Sequence, residues 1–439
     1  MSRLKFRKLW WSVPLMLVAL MSSSQQVNQV PAPKSEAEIK KMMRITYDQH
    51  ILPEGASQQL LEHLTETGEV IVYYDHPPVV PWMSAAGIMV NAPIEEVFAT
   101  ASDFTHYKDF VPFTESADVQ KVSENLYNVS FHLKVTMSFL HYRMDYGVYH
   151  YNRPPYRTDW ALSWGEFNID VGFWEMIPTA DGKRTMAFYS VYSEPRSSLL
   201  KSIYAREPSL ELMTNVSTAT MICRAVKTEA EKRYAAKGGK IIPSPKPRPI
   251  FDVLAEDPAS MRKFLDRGKL MVLQDGPPVY ATVGALVNAP REKSWEVLTD
   301  FVDYPKFVPG TKKVESLGQG ANGPKYHWEV STDMVFLEYK YAYDPEFILK
   351  PPESIRWDPD PKSEVAVSGF WRLLDNGGKT LAFSGSTANI RAMGVIPRYV
   401  LNAQPSLEHA IMVSESLVTM NAIKSEIEKR AGTCPAPKK

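Results

Sequence analysis

Apolar and polar residues alternate with a period of two along two stretches of this chain. In the first, Val129, Phe131, Leu133, Val135, Met137 and Phe139 interleave with Ser130, His132, Lys134, Thr136 and Ser138. In the second, Tyr326, Trp328, Val330, Thr332, Met334 and Phe336 keep the same phase. Successive side chains of a strand point to opposite faces, so each stretch is predicted to be a long, half-buried antiparallel strand. After a turn the pattern continues in Tyr142, Met144, Tyr146 and Val148, and in Tyr339, Tyr341 and Tyr343. Further strand-like runs lie at 160–164, 172–177 and 185–192, and Asp181-Gly182 (Gly377-Gly378 in the second stretch) is a hairpin signal.

Helical periodicity follows. Residues 208–235 carry a stripe of Leu212, Val216, Ala219, Met221, Ile222 and Val226. Residues 405–431 carry Ile411, Val413, Leu417, Val418, Met420, Ile423 and Ile427. Shorter helical segments are predicted at 58–64 and 259–265, and after each Asn-Ala-Pro turn. There a proline at the first helical position precedes Glu95 and Glu96, or Glu292, and the helix ends near Asp103 or Asp300. A strand, short helices, about six more strands and one long helix make an α+β fold, its curved sheet burying an apolar face on the helix.

The two stretches belong to a tandem duplication. At an offset of 197, Asn91-Ala92-Pro93 falls on Asn288-Ala289-Pro290, and Asp103-Phe104 on Asp300-Phe301. Gly172-Phe173-Trp174 falls on Gly369-Phe370-Trp371, and Pro208-Ser209-Leu210-Glu211 on Pro405-Ser406-Leu407-Glu408. One register held over a whole copy means one fold used twice. Upstream, Pro77-Pro78 meets Pro277-Pro278 at an offset of 200, which places a three-residue insertion near Trp82. The expected organisation is a signal peptide at 1–24, a polar approach at 25–55, one domain at 56–236, a Pro-rich linker at 237–253, a second domain at 254–432, and a disordered tail at 433–439.

Composition narrows the function. Lys plus Arg equals Asp plus Glu, 50 against 50, so no basic footprint for nucleic acid is present. The start is different: Arg3, Lys5, Arg7 and Lys8 precede an apolar run at 9–21 and then Ser22, Ser23 and Ser24. That order is a secretory signal peptide, with an uncleaved membrane anchor as the alternative, although the run is shorter than the ~20 residues of a membrane span. The expected location is periplasmic or secreted. Two cysteines, Cys223 and Cys434, form no disulfide framework.

Chemistry is sparse. None of the nine histidines makes a helical pair at metal-ligand spacing, no phosphate loop follows a strand, and no nucleophile has a base. His132 reads as a surface residue. Asp103 and Asp300 recur at the same place, but a helix cap or Asx turn explains them more simply than catalysis. No metal, cofactor or catalytic residue is assigned.

The stretches NAPIEEVFATASDFTHYKDFVP (91–112) and NAPREKSWEVLTDFVDYPKFVP (288–309) resemble the opening of the polyketide cyclase and coenzyme Q-binding protein family, of the START-like (SRPBCC) superfamily. The Gly-Phe-Trp strand, the Gly378-Lys379-Thr380 hairpin and Ile396-Pro397 resemble it too. The resemblance implies two helix-grip domains, each a sheet wrapped on its C-terminal helix around a hydrophobic tunnel. Members bind or carry lipids, sterols, quinones, isoprenoids or polyketides, and a minority are enzymes.

The residues expected to line such a tunnel in the first copy are Phe131, Leu133, Val135, Met137, Tyr142, Met144, Tyr146, Trp160, Trp164, Trp174 and Val216. In the second they are Trp328, Val330, Met334, Tyr339, Tyr341, Tyr343, Trp357, Trp371 and Met420. The leading expectation is an exported, non-enzymatic carrier of a hydrophobic small molecule, in transient contact with membranes. Two alternatives stand beside it: a cyclase- or aromatase-type enzyme using Tyr146, Tyr343 or Asp103 for proton transfer, and an interaction scaffold with filled cores.

Overall fold

The computed structural model describes residues 34–47, 49–74, 84–137, 140–198, 201–202, 205, 208–243, 248–276, 278–334, 337–359, 365–394, 398, 402 and 406–433. The signal segment, Pro77-Pro78, Trp82, Ile396-Pro397, Cys434 and the rest of the tail lie outside these residues. The chain divides into two compact units. One is built on Leu61–Arg248 with the described part of Trp10–Pro53, the other on Pro249–Lys439 with Glu54–Leu60. Among the described residues, no helix is long and apolar enough to cross a membrane.

The first unit contains β1 (Glu69–Tyr74), β2 (Ser84–Val90), β3 (Thr114–Lys121), β4 (Leu126–Met137), β5 (Leu140–Arg153), β6 (Arg157–Gly165), β7 (Phe167–Pro178) and β8 (Thr185–Pro195). All pair antiparallel in the order β1-β2-β8-β7-β6-β5-β4-β3. The first long alternating stretch supplies β4 from Val129 to its end at Met137, as its period demands, and Ser138 and Phe139 lie outside the described residues. The one strand expected ahead of the short helices is instead two, the antiparallel partners β1 and β2.

The second unit repeats the plan with β9 (Gly268–Gln274), β10 (Tyr280–Val287), β11 (Thr311–Gln319), β12 (Pro324–Met334), β13 (Leu337–Tyr343), β14 (Glu346–Lys350), β15 (Ser354–Asp358), β16 (Val367–Asp375) and β17 (Thr380–Ala388). Its order is β9-β10-β17-β16-β15-β14, with β13 continuing the line of β14 beside β12, and β11 at the edge. β13 and β14 together match β5. The break between them falls at Asp344-Pro345, where proline cannot donate to the ladder. The equivalent point of the first copy, Gly147-Val148, is where the β5–β6 register slips by a bulge.

A long helix closes each copy, Pro208–Ala236 and Ser406–Arg430. The first lies against β2 and β8. Its fully buried stripe is Val216, Ala219, Cys223, Val226 and Ala230, while Met221 and Ile222 are half-buried and flank it. The second buries Ile411, Val413, Leu417, Met420, Ile423 and Ile427, with Val418 half-buried. Pro93 and Pro290 stand at the caps of the short helices Ile94–Ala101 and Arg291–Leu298, one residue earlier than predicted.

The polar approach contains a helix, Glu36–Tyr47, which buries Ile39 and Met43 completely. It packs on the sheet face opposite the closing helix, where Thr46 Oγ1 meets Asp159 Oδ1 at 3.3 Å. Arg157, almost wholly buried, donates to the carbonyls of Thr46 and Gln49 at 2.6 Å and to Asp159 at 2.8 Å. The first sheet is thereby covered on both faces.

Candidate functional site

Residues that recur in both copies turn out to be fasteners. Asn91 donates its backbone and side-chain N–H to Glu231 Oε1 at 2.8 Å, and Asn288 does the same to Glu428 at 2.9 and 3.1 Å. The Asn-Ala-Pro turn is thus tied to the closing helix. Tyr107 donates to the Ala101 carbonyl at 2.5 Å, and Tyr304 to that of Leu298 at 2.9 Å. Asp103 and Asp300 stand at the starts of 3-10 turns, but neither side chain caps them. Each instead accepts from an arginine late in the closing helix, Arg233 at 2.7 Å and Arg430 at 2.8 Å. Burial opposes ionisation of Asp103, yet hydrogen bonds from His106 and Arg233 outweigh it and hold the carboxyl below its ordinary range. His132 lies between Asp145 at 2.8 Å and Asp118 at 3.3 Å on the solvent-facing side of β4.

The face turned to the closing helix is aromatic. Strand pairing puts Phe131 opposite Tyr146, His150 opposite Trp160, and Trp174 opposite Tyr189. Cys223 of the helix reaches the carbonyl of Ala86 on the same face at 3.2 Å. Glycine makes room for the largest rings: a Cβ on Gly172 would sit 2.2 Å from the Trp160 ring, and one on Gly369 2.3 Å from that of Trp357. The Gly-Phe-Trp motif is therefore a seat for the neighbouring strand's tryptophan. Trp160 stacks on Tyr189 with centroids 4.8 Å apart, and Tyr146 meets Phe167 edge-on at 5.5 Å.

The nominated residues divide into groups. Phe131, Trp160, Trp174, Val216, Trp328, Trp371 and Met420 are buried on the inner side. Leu133, Met144, Tyr146, Val330, Tyr341, Tyr343 and Trp357 share that face but stay half-buried. The side chains of Val135, Met137, Tyr142, Met334 and Tyr339 lie outside the described residues. Trp164 is corrected: the bulge between β5 and β6 sets it opposite Gly147, reversing its phase relative to Trp160. Its indole covers the outer side of Gly147, where a Cβ would approach it to 2.1 Å.

Two inner residues carry chemistry that the sequence reading passed over. His150 lies face to face with Phe104, centroids 4.2 Å apart. Neither ring nitrogen has a hydrogen-bond partner among the described residues, and burial pushes the imidazole pKa down to about 3. Asp170, on β7, is pushed up to about 7 by burial, against hydrogen bonds from Ser193 and Trp160. Their counterparts 197 residues on are Phe347 and Val367. The signal was in the duplication: a polar residue facing an apolar counterpart on an inward position. Phe347 stacks on Phe301, also at 4.2 Å. Among the described residues the second copy has orphan polar atoms of its own on this side, Trp328 Nε1 on β12 and Ser416 Oγ on the closing helix.

A separate cavity of about 490 Å3 opens beside His50, Arg153, Tyr156, Arg157 and Glu175. Its charges are mutually paired, His50 with Glu175 at 2.8 Å and Arg157 with Glu175 at 3.6 Å. None of the nominated residues lines it. Among the described residues, no group of three or more His, Cys, Asp or Glu is placed to hold a metal ion.

The family model described as "Polyketide cyclase / dehydrase and lipid transport" matches residues 90–204 and 287–401, the same segment of each copy. No curated protein matches the chain. Among solved structures, the chain is similar to the di-domain aromatase/cyclase StfQ from the steffimycin biosynthetic pathway. Identity is 12%, coverage 79% of this chain and 99% of that one, and the TM-score 0.28. The Zhui aromatase/cyclase from Streptomyces sp. R1128 is 17% identical over 36% of this chain and 98% of that one, TM-score 0.28. A STAR-related lipid transfer protein fragment from Xanthomonas axonopodis is 14% identical over 37% and 94%, TM-score 0.27. Likenesses of this size say nothing about ligand or reaction.

Proposed function

The chain belongs to the polyketide cyclase / dehydrase and lipid transport family, and we propose that it is an exported, non-enzymatic binding or carrier protein for a hydrophobic small molecule. The ligand, a lipid, sterol, quinone or isoprenoid, sits between sheet and closing helix. The observation that carries this reading is the gradient along the inner face. Phe131 and Trp160 are buried at one end, while Leu133, Met144 and Tyr146 on the same face keep partial access, as do Val330, Tyr341 and Tyr343 in the second copy. Apolar side chains held inward yet incompletely covered are what a bound apolar molecule would finish covering.

Export rests on the basic start, the apolar run and the three serines. A carrier in an aqueous compartment has a clear physical use, because each exposed methylene of a free lipid costs about 0.8 kcal/mol. Transient membrane contact belongs to the same reading, since such ligands are loaded from and delivered to bilayers. The test is extraction of the chain purified from its own host, followed by mass spectrometry of the organic phase. A defined apolar species recovered in proportion to protein supports the proposal. A clean extract, with no uptake of lipid probes, would sink it.

A further inference from the structure

His150 is the most anomalous group on the inner face of the first copy. It is 6% exposed, stacked on Phe104, and set between Phe131 and Trp160 with centroid distances of 6.3 and 5.7 Å. A neutral imidazole carries one donor and one acceptor, and both stand unused among the described residues. Leaving buried polar atoms unmade is costly, and native interiors seldom tolerate it. Packing does not demand the residue. The second copy holds Phe347 at this position, stacked on Phe301 with the same 4.2 Å separation and a similar tilt, 21° against 29°. A phenyl ring fills the place with no polar atom to satisfy, yet the first copy keeps an imidazole.

We propose that His150 is the polar anchor of the first copy, hydrogen-bonding the hydroxyl of a neutral, otherwise apolar ligand. The inference rests on the binding function proposed above and adds the ligand's chemistry and the copy that selects it. A hydroxyl both donates and accepts, so it complements the imidazole in either tautomer. A charged head group is disfavoured, because an aromatic lining offers no compensation for a buried charge. Asp170 does not compete for the imidazole, being engaged with Ser193 and Trp160. The second copy has no imidazole here; among the described residues its orphan polar atoms on this side are the Trp328 indole N–H, a donor alone, and the Ser416 hydroxyl of the closing helix, where the first copy has Ala219.

The test uses the full chain with a matched pair of probes, farnesol and the hydrocarbon farnesene. Trp328→Phe and Ser416→Ala, which place in the second copy the residues that Phe131 and Ala219 provide in the first, remove its orphan indole N–H and hydroxyl from the comparison. In that background the chain should bind farnesol about tenfold more tightly than farnesene, the worth of one net hydrogen bond. Adding His150→Phe should bring the two probes level by weakening farnesol alone, and adding His150→Gln, neutral with a donor and an acceptor, should keep part of the preference. Equal affinities before His150 is touched would overturn the inference while leaving the binding function intact, and so would a preference that survives His150→Phe. A trapped water on the imidazole would give the first of these results. Failure of the unmodified chain to bind either probe would overturn the binding function itself.

Discussion

Asp103 takes a hydrogen bond from Arg233 at 2.7 Å, spanning 130 residues from the start of a 3-10 turn to the end of the closing helix. Asp300 and Arg430 repeat it at 2.8 Å across the same separation. The pair fixes the end of the helix to the aromatic turn containing Phe104 and Tyr107, or Phe301 and Tyr304. Asp103→Asn should lower stability by about 1 kcal/mol at neutral pH, the upper range for a partly exposed pair. Because the folded carboxyl titrates below its ordinary value, the contribution is present above about pH 4 and lost as pH falls through the folded pKa. Denaturant midpoints of the variant and the natural chain should differ at pH 7 and draw together as the pH falls below about 4.

The buried pair His150 and Asp170 gives the first copy two opposed pH slopes. His150 titrates near 3 when folded, so from about pH 6.5 downward the unfolded chain holds a proton that the folded chain refuses, and stability falls. Asp170 titrates near 7 when folded, so its contribution is full below about pH 4 and lost as pH rises towards 7. Each slope approaches ~1.4 kcal/mol per pH unit, and between pH 4 and 6.5 they nearly cancel. Relative to the natural chain, His150→Phe should gain stability as pH is lowered through this window, and Asp170→Asn should lose it. Denaturant titrations at pH 7, 5.5 and 4 decide the matter; parallel curves for all three proteins would contradict it.

Gly172→Ala should cost about 3 kcal/mol, at the top of the range for overpacking. Its Cβ would lie 2.2 Å from both the Ser190 carbonyl oxygen and the Trp160 ring, and a backbone neighbour cannot step aside. Thermal melting should show a loss of about 2–4 °C per kcal/mol for a domain of this size. Gly369→Ala should repeat it in the second copy, where Trp357 and the Gly385 carbonyl stand at 2.3 and 2.4 Å.

On the outer face of the first sheet, Arg157 is the residue whose loss should travel furthest. It is held by Asp159 and Glu175 and in turn holds the carbonyls of Thr46 and Gln49. Arg157→Met should leave Asp159 with Arg153, and Glu175 with His50 and the Ile51 N–H, while freeing the two carbonyls, at a cost of about 3 kcal/mol, the low end for breaking a buried pair. Limited proteolysis should then cut at 36–50 before anywhere in the sheet.

The α+β order, the long alternating strands, the hairpin glycines and the closing helices were legible because each is written in local periodicity. The Glu36–Tyr47 helix was missed as a packing element: Ile39 and Met43 are two apolar residues in a polar run, too few to signal burial without the sheet face that receives them. Trp164 was assigned to the wrong face because alternation counts residues, and the bulge beside Gly147 adds one that no local pattern announces. Asp103 looked like a cap because its partner, Arg233, is distant in sequence. His150 shows the opposite lesson. Aligning the copies already set it against Phe347, and a polar residue on an apolar phase was the available sign of function.

The central claim, that each copy holds an apolar molecule beneath its closing helix, is tested most directly by saturable uptake of N-phenyl-1-naphthylamine. The natural chain should be compared with one carrying Leu133→Arg and Val330→Arg, charges placed on half-buried inner positions where they can still reach water. The account predicts saturable binding to the natural chain, at most one probe per copy, and its loss in the double variant with melting unchanged. Absence of uptake by the natural chain, or uptake indifferent to both arginines, would contradict it.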